Sequence, residues 1–507
     1  MAVIDSSTIT NTANKQKSTG LARTYRDLLK HSGIYGLGQI LSRLASFLLL
    51  PIYTTYLRPT DYGNIAILDL TSSMLGILIS AGMGAAVTRY HFEARDEAER
   101  DQVWWTGLVF IVLVATAIVL PSILCRDGLA LLTLGADIEQ GGFYYALVLS
   151  TLWFGVIGQL PDEYLRVRKW SGVSVLVNLV RLLLNVGLNV YFLAVFHLGV
   201  MGILLGNLIT TVVTTVALLV IFVQGRGRFT FHRSLVCKLW RFSGPLLVTA
   251  LLSTVMHQAD RYLLRLFVDM SQIGIYSLAY TIGQAVNTLC LLPFSAIWGV
   301  VMYEIAEQPD AKYIYARIFQ YFVYGLALIM LGVALFAKHI LAIMVPPDYL
   351  QSADLIPIVC LGYLFFSLNE HFKVPVLLAK RTTAIPLIVF TAATTNIGAN
   401  LLLIPLFGLA GAAWASVVTF ATYSFLGLWR YRTIDRYEYP LLRCGAILAG
   451  MIASVLGFRS LSYLYDHYGE IIVAAAICAF WAVFLFAPLL LKCFGRHFRW
   501  SSAHISG

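Results

Sequence analysis

A small set of ionisable side chains stands where charge is costly. Arg43, Asp69, Arg181, His257, Asp260, Arg261, Arg265 and Glu370 fall within, or at the ends of, long apolar runs. A charge at bilayer depth costs at least ~2.5 kcal/mol, so each of these groups is expected to face a wet cavity or a partner. Arg43 and Arg181 lie about ten and nine residues into two runs of the same direction, which at ~1.5 Å per residue places both near mid-membrane. Facing a common cleft, they would form a cationic site, and the planar guanidinium fork suits phosphate. The competing reading is structural pairing, with Asp69 or with free backbone carbonyls.

His257, Arg261 and Arg265 recur at i, i+4 and i+8, on one helical face with Asp260 beside them. This group is expected at the outer end of its run, as an outer gate or secondary anion site, or else as an interfacial ion pair. Glu370, followed by His371, and Asp69 are the carboxylates able to couple transport to protons; for Glu370 a helix cap or salt bridge is the alternative. Trp104, Trp105, Trp153, Trp240 and Trp298 could stack on sugars, but interfacial belts account for such residues by default.

The elements that position these groups must be membrane helices. Of 507 residues 59% are hydrophobic and 12% charged, and mean hydropathy is +0.77, outside the range of water-soluble domains. Fourteen runs of about 20 apolar residues follow one another between residues 33 and 491. Most of the 36 Lys and Arg residues fall on the N-terminal side of alternate loops, which puts both termini in the cytoplasm and makes the number of spans even. The formal charge of +10 is thereby explained by topology; no nucleic-acid-binding motif accompanies it. The seven cysteines form no CxxC pair and are expected to be small core residues.

The chain also resembles itself. Asn185-Val186-Gly187-Leu188-Asn189 recurs as Asn396-Ile397-Gly398-Ala399-Asn400, about 210 residues downstream. Gly63 and Gly274, and the Gly199–Gly202 and Gly408–Gly411 stretches, keep nearly the same offset. A duplicated six-helix unit follows, with two parallel lobes and a substrate path between them. The expected organisation is a head at 1–32, a lobe at 33–224, a linker at 225–242, a second lobe at 243–430, two further helices within 431–491, and a tail at 492–507. The paired asparagines themselves read first as helix-packing residues with interhelical hydrogen bonds.

No GxxxxGK[ST] loop, HExxH or GxSxG motif is present, so neither nucleotide hydrolysis nor hydrolase chemistry is expected; the chain does not read as an enzyme. No cofactor is expected, and a proton or sodium gradient is the candidate energy source. A membrane glycosyl polymerase or ligase would need a large outer loop, and the longest here, roughly 123–142, is short.

Three segments carry a family resemblance. Ser42-Arg43-Leu44, then Leu50-Pro51-Ile52 and Leu57 to Gly63, open the first lobe; Asp260 to Leu264 and Gly274 to Ala279 open the second; Gly408 to Gly411 continues into Ala412-Ala413-Trp414-Ala415. These resemble the polysaccharide transporters, or Wzx-type O-antigen and exopolysaccharide flippases, of the multidrug/oligosaccharidyl-lipid/polysaccharide (MOP) superfamily. The resemblance implies an all-α polytopic membrane protein of fourteen helices: a V-shaped pair of pseudo-symmetric six-helix lobes plus two C-terminal helices. It implies a bacterial inner-membrane flippase that moves a polyprenyl-diphosphate-linked oligosaccharide to the periplasmic leaflet by alternating access, among membrane lipids, with polysaccharide polymerase and export machinery as candidate neighbours. Arg43 maps to the diphosphate role. Lipid II flippases are similar but tend to carry a second Arg where this chain has Leu48, Leu49 and Leu50; drug exporters of the superfamily commonly have twelve spans.

Overall fold

The computed structural model describes residues 49–503 apart from 81, 137, 139, 226–228, 382, 462–463 and 465–466, and the side chains of 467 and 488–503 are outside the description. Arg43, the head at 1–32 and most of the first span therefore lie outside the described residues.

The described chain is helical from end to end. The first lobe comprises α1 (Leu50–Tyr56), α2 (Pro59–Ser80), α3 (Met83–Glu93), α4 (Glu97–Leu124), α5 (Arg126–Thr133), α6 (Gly141–Val167), α7 (Ser171–Ala194) and α8 (Gly199–Gln224). The second comprises α9 (Arg233–Leu264), α10 (Met270–Ala306), α11 (Ala311–Met344), a 3-10 turn (Pro347–Asp354), α12 (Ile356–Phe372), α13 (Val374–Leu378) and α14 (Ala384–Tyr431), followed by α15 (Leu441–Leu461) and α16 (His467–Ala503). Helices alone can satisfy every backbone polar group inside hydrocarbon, which is why apolar runs of this length take this form. Polar residues close the turns: Asp96 caps α4 by accepting from the Glu99 N–H at 2.7 Å, and Asp269 caps α10 through the Gln272 N–H at 2.8 Å.

Among the described residues, 11 helices are long and apolar enough to cross a bilayer, and 12 if the bent pair Pro347–Asp354 and Ile356–Leu378 makes one span. One of them, α14, has 48 residues and breaks at Gly408, where φ is 55°. At ~1.5 Å per residue it is about twice the length one crossing needs. The count of fourteen also draws on the segment before Leu50, outside the described residues. α9 begins at Arg233, inside the stretch 225–242 read as linker, and α5 occupies the outer loop at 123–142.

The internal repeat is visible as geometry. Gly199 (φ 57°) and Gly408 (φ 55°) both take positive φ at the turn between equivalent helices, a backbone that L side chains rarely adopt. In both copies the second asparagine donates to the first across one helical turn: Asn189 Nδ2 to Asn185 Oδ1 at 3.3 Å, and Asn400 Nδ2 to Asn396 Oδ1 at 3.2 Å. Gly63 and Gly274 meet at the crossing of α2 and α10: a Cβ on Gly63 would strike the Met270 carbonyl, and one on Gly274 the Pro59 carbonyl.

Two tryptophans depart from the interfacial expectation. Trp104 is wholly buried and its Nε1 donates to His91 Nδ1 at 3.1 Å, while Trp298 packs against Phe294 and His371. An aromatic ring with one polar handle suits a protein interior when that handle finds an acceptor.

Candidate functional site

The helices alternate between a basic end, with the 94–96, 168–170 and 432–440 turns, and an opposite end, with the 57–58, 195–198 and 265–269 turns. Nearer the opposite end, a cavity of about 470 Å³ opens between the lobes.

Helical periodicity aims its walls. From α2 come Tyr62, Asp69 and Ser73, at i, i+7 and i+11; from α10 come Ser277, Thr281 and Gln284, at i, i+4 and i+7. Asn185 of α7 and Asn207 of α8 line the same space, joined by a 2.7 Å bond from Asn185 Nδ2 to Asn207 Oδ1. Asn189 reaches Tyr53, whose ring also lines the cavity, with Nδ2 donating to the hydroxyl at 2.7 Å. Apolar packing would leave such amides unsatisfied, whereas a wet wall satisfies them.

The opposite end is shut. Besides the Gly63–Gly274 crossing, the Thr71 hydroxyl lies 2.5 Å from Tyr262 OH and 3.1 Å from Tyr145 OH, and Tyr145 OH lies 2.6 Å from Thr133. The Tyr349 hydroxyl donates to the Leu57 carbonyl at 3.0 Å, and Arg265 Nη2 to the Leu134 carbonyl at 3.0 Å. All but the Tyr145 contacts with Thr71 and Thr133 join one lobe to the other.

The charges fall into three groups. Arg261 is held within the second lobe: its guanidinium lies 3.9 Å from Asp260, 3.4 Å from the Ser277 hydroxyl and 4.7 Å over the Tyr280 ring. Asp260 is fully buried and accepts from Tyr276 OH and from the Arg261 backbone N–H. Asp69, in contrast, opens into the cavity and has no hydrogen-bond or ion-pair partner among the described residues. Arg181 lies one turn from Asn185 toward the basic end, on the same helical face, and among the described residues its hydrogen bond goes to Asn178 Oδ1, at 3.4 Å. Among the described residues no carboxylate reaches Arg181.

Of the expected gate group, Arg261 lines the cavity and Arg265 joins the closed end. His257 points into the second lobe instead, with Nδ1 2.8 Å from the Ser253 carbonyl and its ring against Phe366 and Phe420. Glu370 sits two residues from the end of α12 at the basic end, away from the cavity, in a 2.6 Å pair with Lys373. Sequence reasoning did not select Ser73, Asn207, Gln258, Ser277 or Gln284. Their signal was polar residues at helical spacing within apolar runs. The asparagine repeat, read as packing, does both jobs: Asn185 faces the cavity, while Asn396 and Asn400 are buried.

A family model described as polysaccharide biosynthesis protein matches residues 28–298. No curated protein sequence matches the chain. Among solved structures, lipid II flippase MurJ in an inward closed conformation is similar over 90% of this chain and 99% of its own, with TM-score 0.73 and 12% identity. A multidrug resistance MATE family transporter of the MOP superfamily, inward-facing, is similar over 80% of this chain and 96% of its own, with TM-score 0.67 and 15% identity. An outward-facing structure of a transporter so described gives 0.57, over 81% and 97% at 15% identity. At these identities the likeness is one of fold. The chain belongs to the polysaccharide biosynthesis protein family and has the MOP-superfamily fold.

Proposed function

We propose that the chain is a flippase that carries polyprenyl-diphosphate-linked oligosaccharide repeat units from the cytoplasmic to the periplasmic leaflet of a bacterial inner membrane. The observation that carries this reading is a polar, hydroxyl- and amide-lined cavity between two lobes closed at one end, in a chain of the polysaccharide biosynthesis family. Such a lining offers many weak donors and acceptors beside aromatic and aliphatic faces, as a glycan requires.

The basic end faces the cytoplasm on this reading, so both termini are cytoplasmic and the structure is closed toward the periplasm. Arg181, with no carboxylate partner among the described residues, binds the diphosphate as it enters, together with Arg43. Alternating access follows when the contacts at the closed end exchange for contacts at the basic end, moving the cavity from one leaflet to the other. A proton or sodium gradient supplies the energy.

A second reading, transport of lipid II, is favoured by the fold likeness to MurJ. One experiment separates the two. Deleting the gene should remove surface polysaccharide and leave lipid-linked repeat units in the cytoplasmic leaflet, with rescue by wild type and not by Arg181→Gln. Growth arrest with accumulated lipid II would transfer the assignment to the second reading, and altered drug tolerance alone would reject both.

A further inference from the structure

Asp69 and Asp260 face a single cation, Arg261, so among the described residues the cavity and its wall carry one net negative charge. Arg261, the one cationic side chain lining it among the described residues, is balanced within its own helix by Asp260 and stacked on Tyr280. Asp69 stands across from it on α2, open to the cavity and without a partner among the described residues. The rest of the lining carries no charge, and its hydroxyls and amides include Ser73, Asn185, Asn207, Gln258, Thr281 and Gln284. Arg181 lies outside this lining, one turn of α7 closer to the basic end.

We infer that this chamber is a glycan subsite distinct from the phosphate site, that it admits neutral or amino sugars and rejects uronic acids, and that Asp69 is the residue that discriminates. This rests on the flippase reading. A carboxylate accepts from two sugar hydroxyls at once, and charge-assisted hydrogen bonds of this kind are the strong ones. An amino sugar would add an opposite charge. A uronate would instead bring a second carboxylate against Asp69 in a confined site, where like charges repel far more than in bulk water. Arg261 offsets only one of the two carboxylates it faces, Asp260 and Asp69, so a uronate would be a third carboxylate against a single cation. Rejection by unfavourable charge is how a permissive polar surface gains selectivity.

The test uses the full-length chain in proteoliposomes loaded with one of two lipids: a polyprenyl-diphosphate-linked neutral disaccharide, or the same lipid with its terminal hexose replaced by the uronic acid. The quantity read is the ratio of their translocation rates. In wild type the uronate should move at least tenfold more slowly. Asp69→Asn should bring the ratio within about threefold, and Gln284→Glu, which adds a carboxylate to the same wall, should widen it. Equal rates in wild type, or a ratio that neither substitution moves, would overturn the charge filter and leave the flippase reading standing. Failure of both lipids to move would reject the flippase reading and this inference with it.

Discussion

Gly63→Ala is the sharpest probe of the closed end. Gly63 lies inside α2, where helix propensity alone would favour alanine by roughly 0.5–1 kcal/mol. The structure reverses that sign. The new methyl would overlap the Met270 carbonyl oxygen and lie 3.1 Å from the Gly274 nitrogen, and both are backbone atoms that cannot rotate away. Relief requires α2 and α10 to separate by roughly 1 Å, and overpacking of this kind costs about 1–3 kcal/mol. Because the crossing joins the two lobes, that cost falls on the closed conformation and is relieved when the end opens. At tenfold per 1.4 kcal/mol, the opening equilibrium should shift by roughly fivefold to somewhat over a hundredfold. Spin labels at Arg58→Cys and Asp348→Cys, both exposed and on either side of the closure, would report it by pulsed dipolar distances in nanodiscs. The Gly63→Ala chain should gain a longer-distance population. Gly398→Ala, whose Cβ would meet nothing within 4 Å, should leave the distribution as in wild type. An unchanged distribution in a folded Gly63→Ala protein would refute the argument that this crossing holds the end shut.

The other predictions concern single terms. Thr71→Val keeps the side-chain shape but removes the hydroxyl shared with Tyr145 and Tyr262; at ~1 kcal/mol per net hydrogen bond, the same label pair should show more opening, though less than for Gly63→Ala. Gly408→Ala places an L side chain at φ 55° and ψ −128° and should lower the midpoint of thermal unfolding in detergent by an amount equivalent to ~1–3 kcal/mol. Gly199→Ala should also lower it, since that glycine too has positive φ, and a loss at only one of the two would contradict the equivalence. Glu370→Gln breaks a pair at the basic end and leaves the cavity wall untouched, so export of surface polysaccharide should fall less than with Arg181→Gln.

Much of the fold was legible because the bilayer imposes one rule on every span. Apolar length gave the helices, the Lys and Arg distribution gave alternate ends, and the spacing of Gly63, Gly199, Gly274 and Gly408 gave the repeat. Those glycines were readable because each answers a local demand, a positive φ or a backbone contact, that no other residue meets. The charges were legible one at a time and not in combination. Asp69 and Asp260 are the same residue type in similar apolar surroundings, yet one opens into a cavity and the other is sealed. The difference lies with Tyr276, on the next helix, which donates to Asp260, while no described residue does so for Asp69. Whether a charge is answered depends on the register of helices that meet only after folding, and no single run carries that information. The same holds for Asn185 and Asn396, equivalent in the repeat and bonded alike to the asparagine one turn on, but facing a cavity in one lobe and buried in the other. Duplication supplied two identical amide pairs. The pairs part ways through their neighbours: Asn396 donates to the Met256 carbonyl and to the Thr419 hydroxyl, both at 3.3 Å, whereas Asn185 reaches Asn207 on the cavity wall.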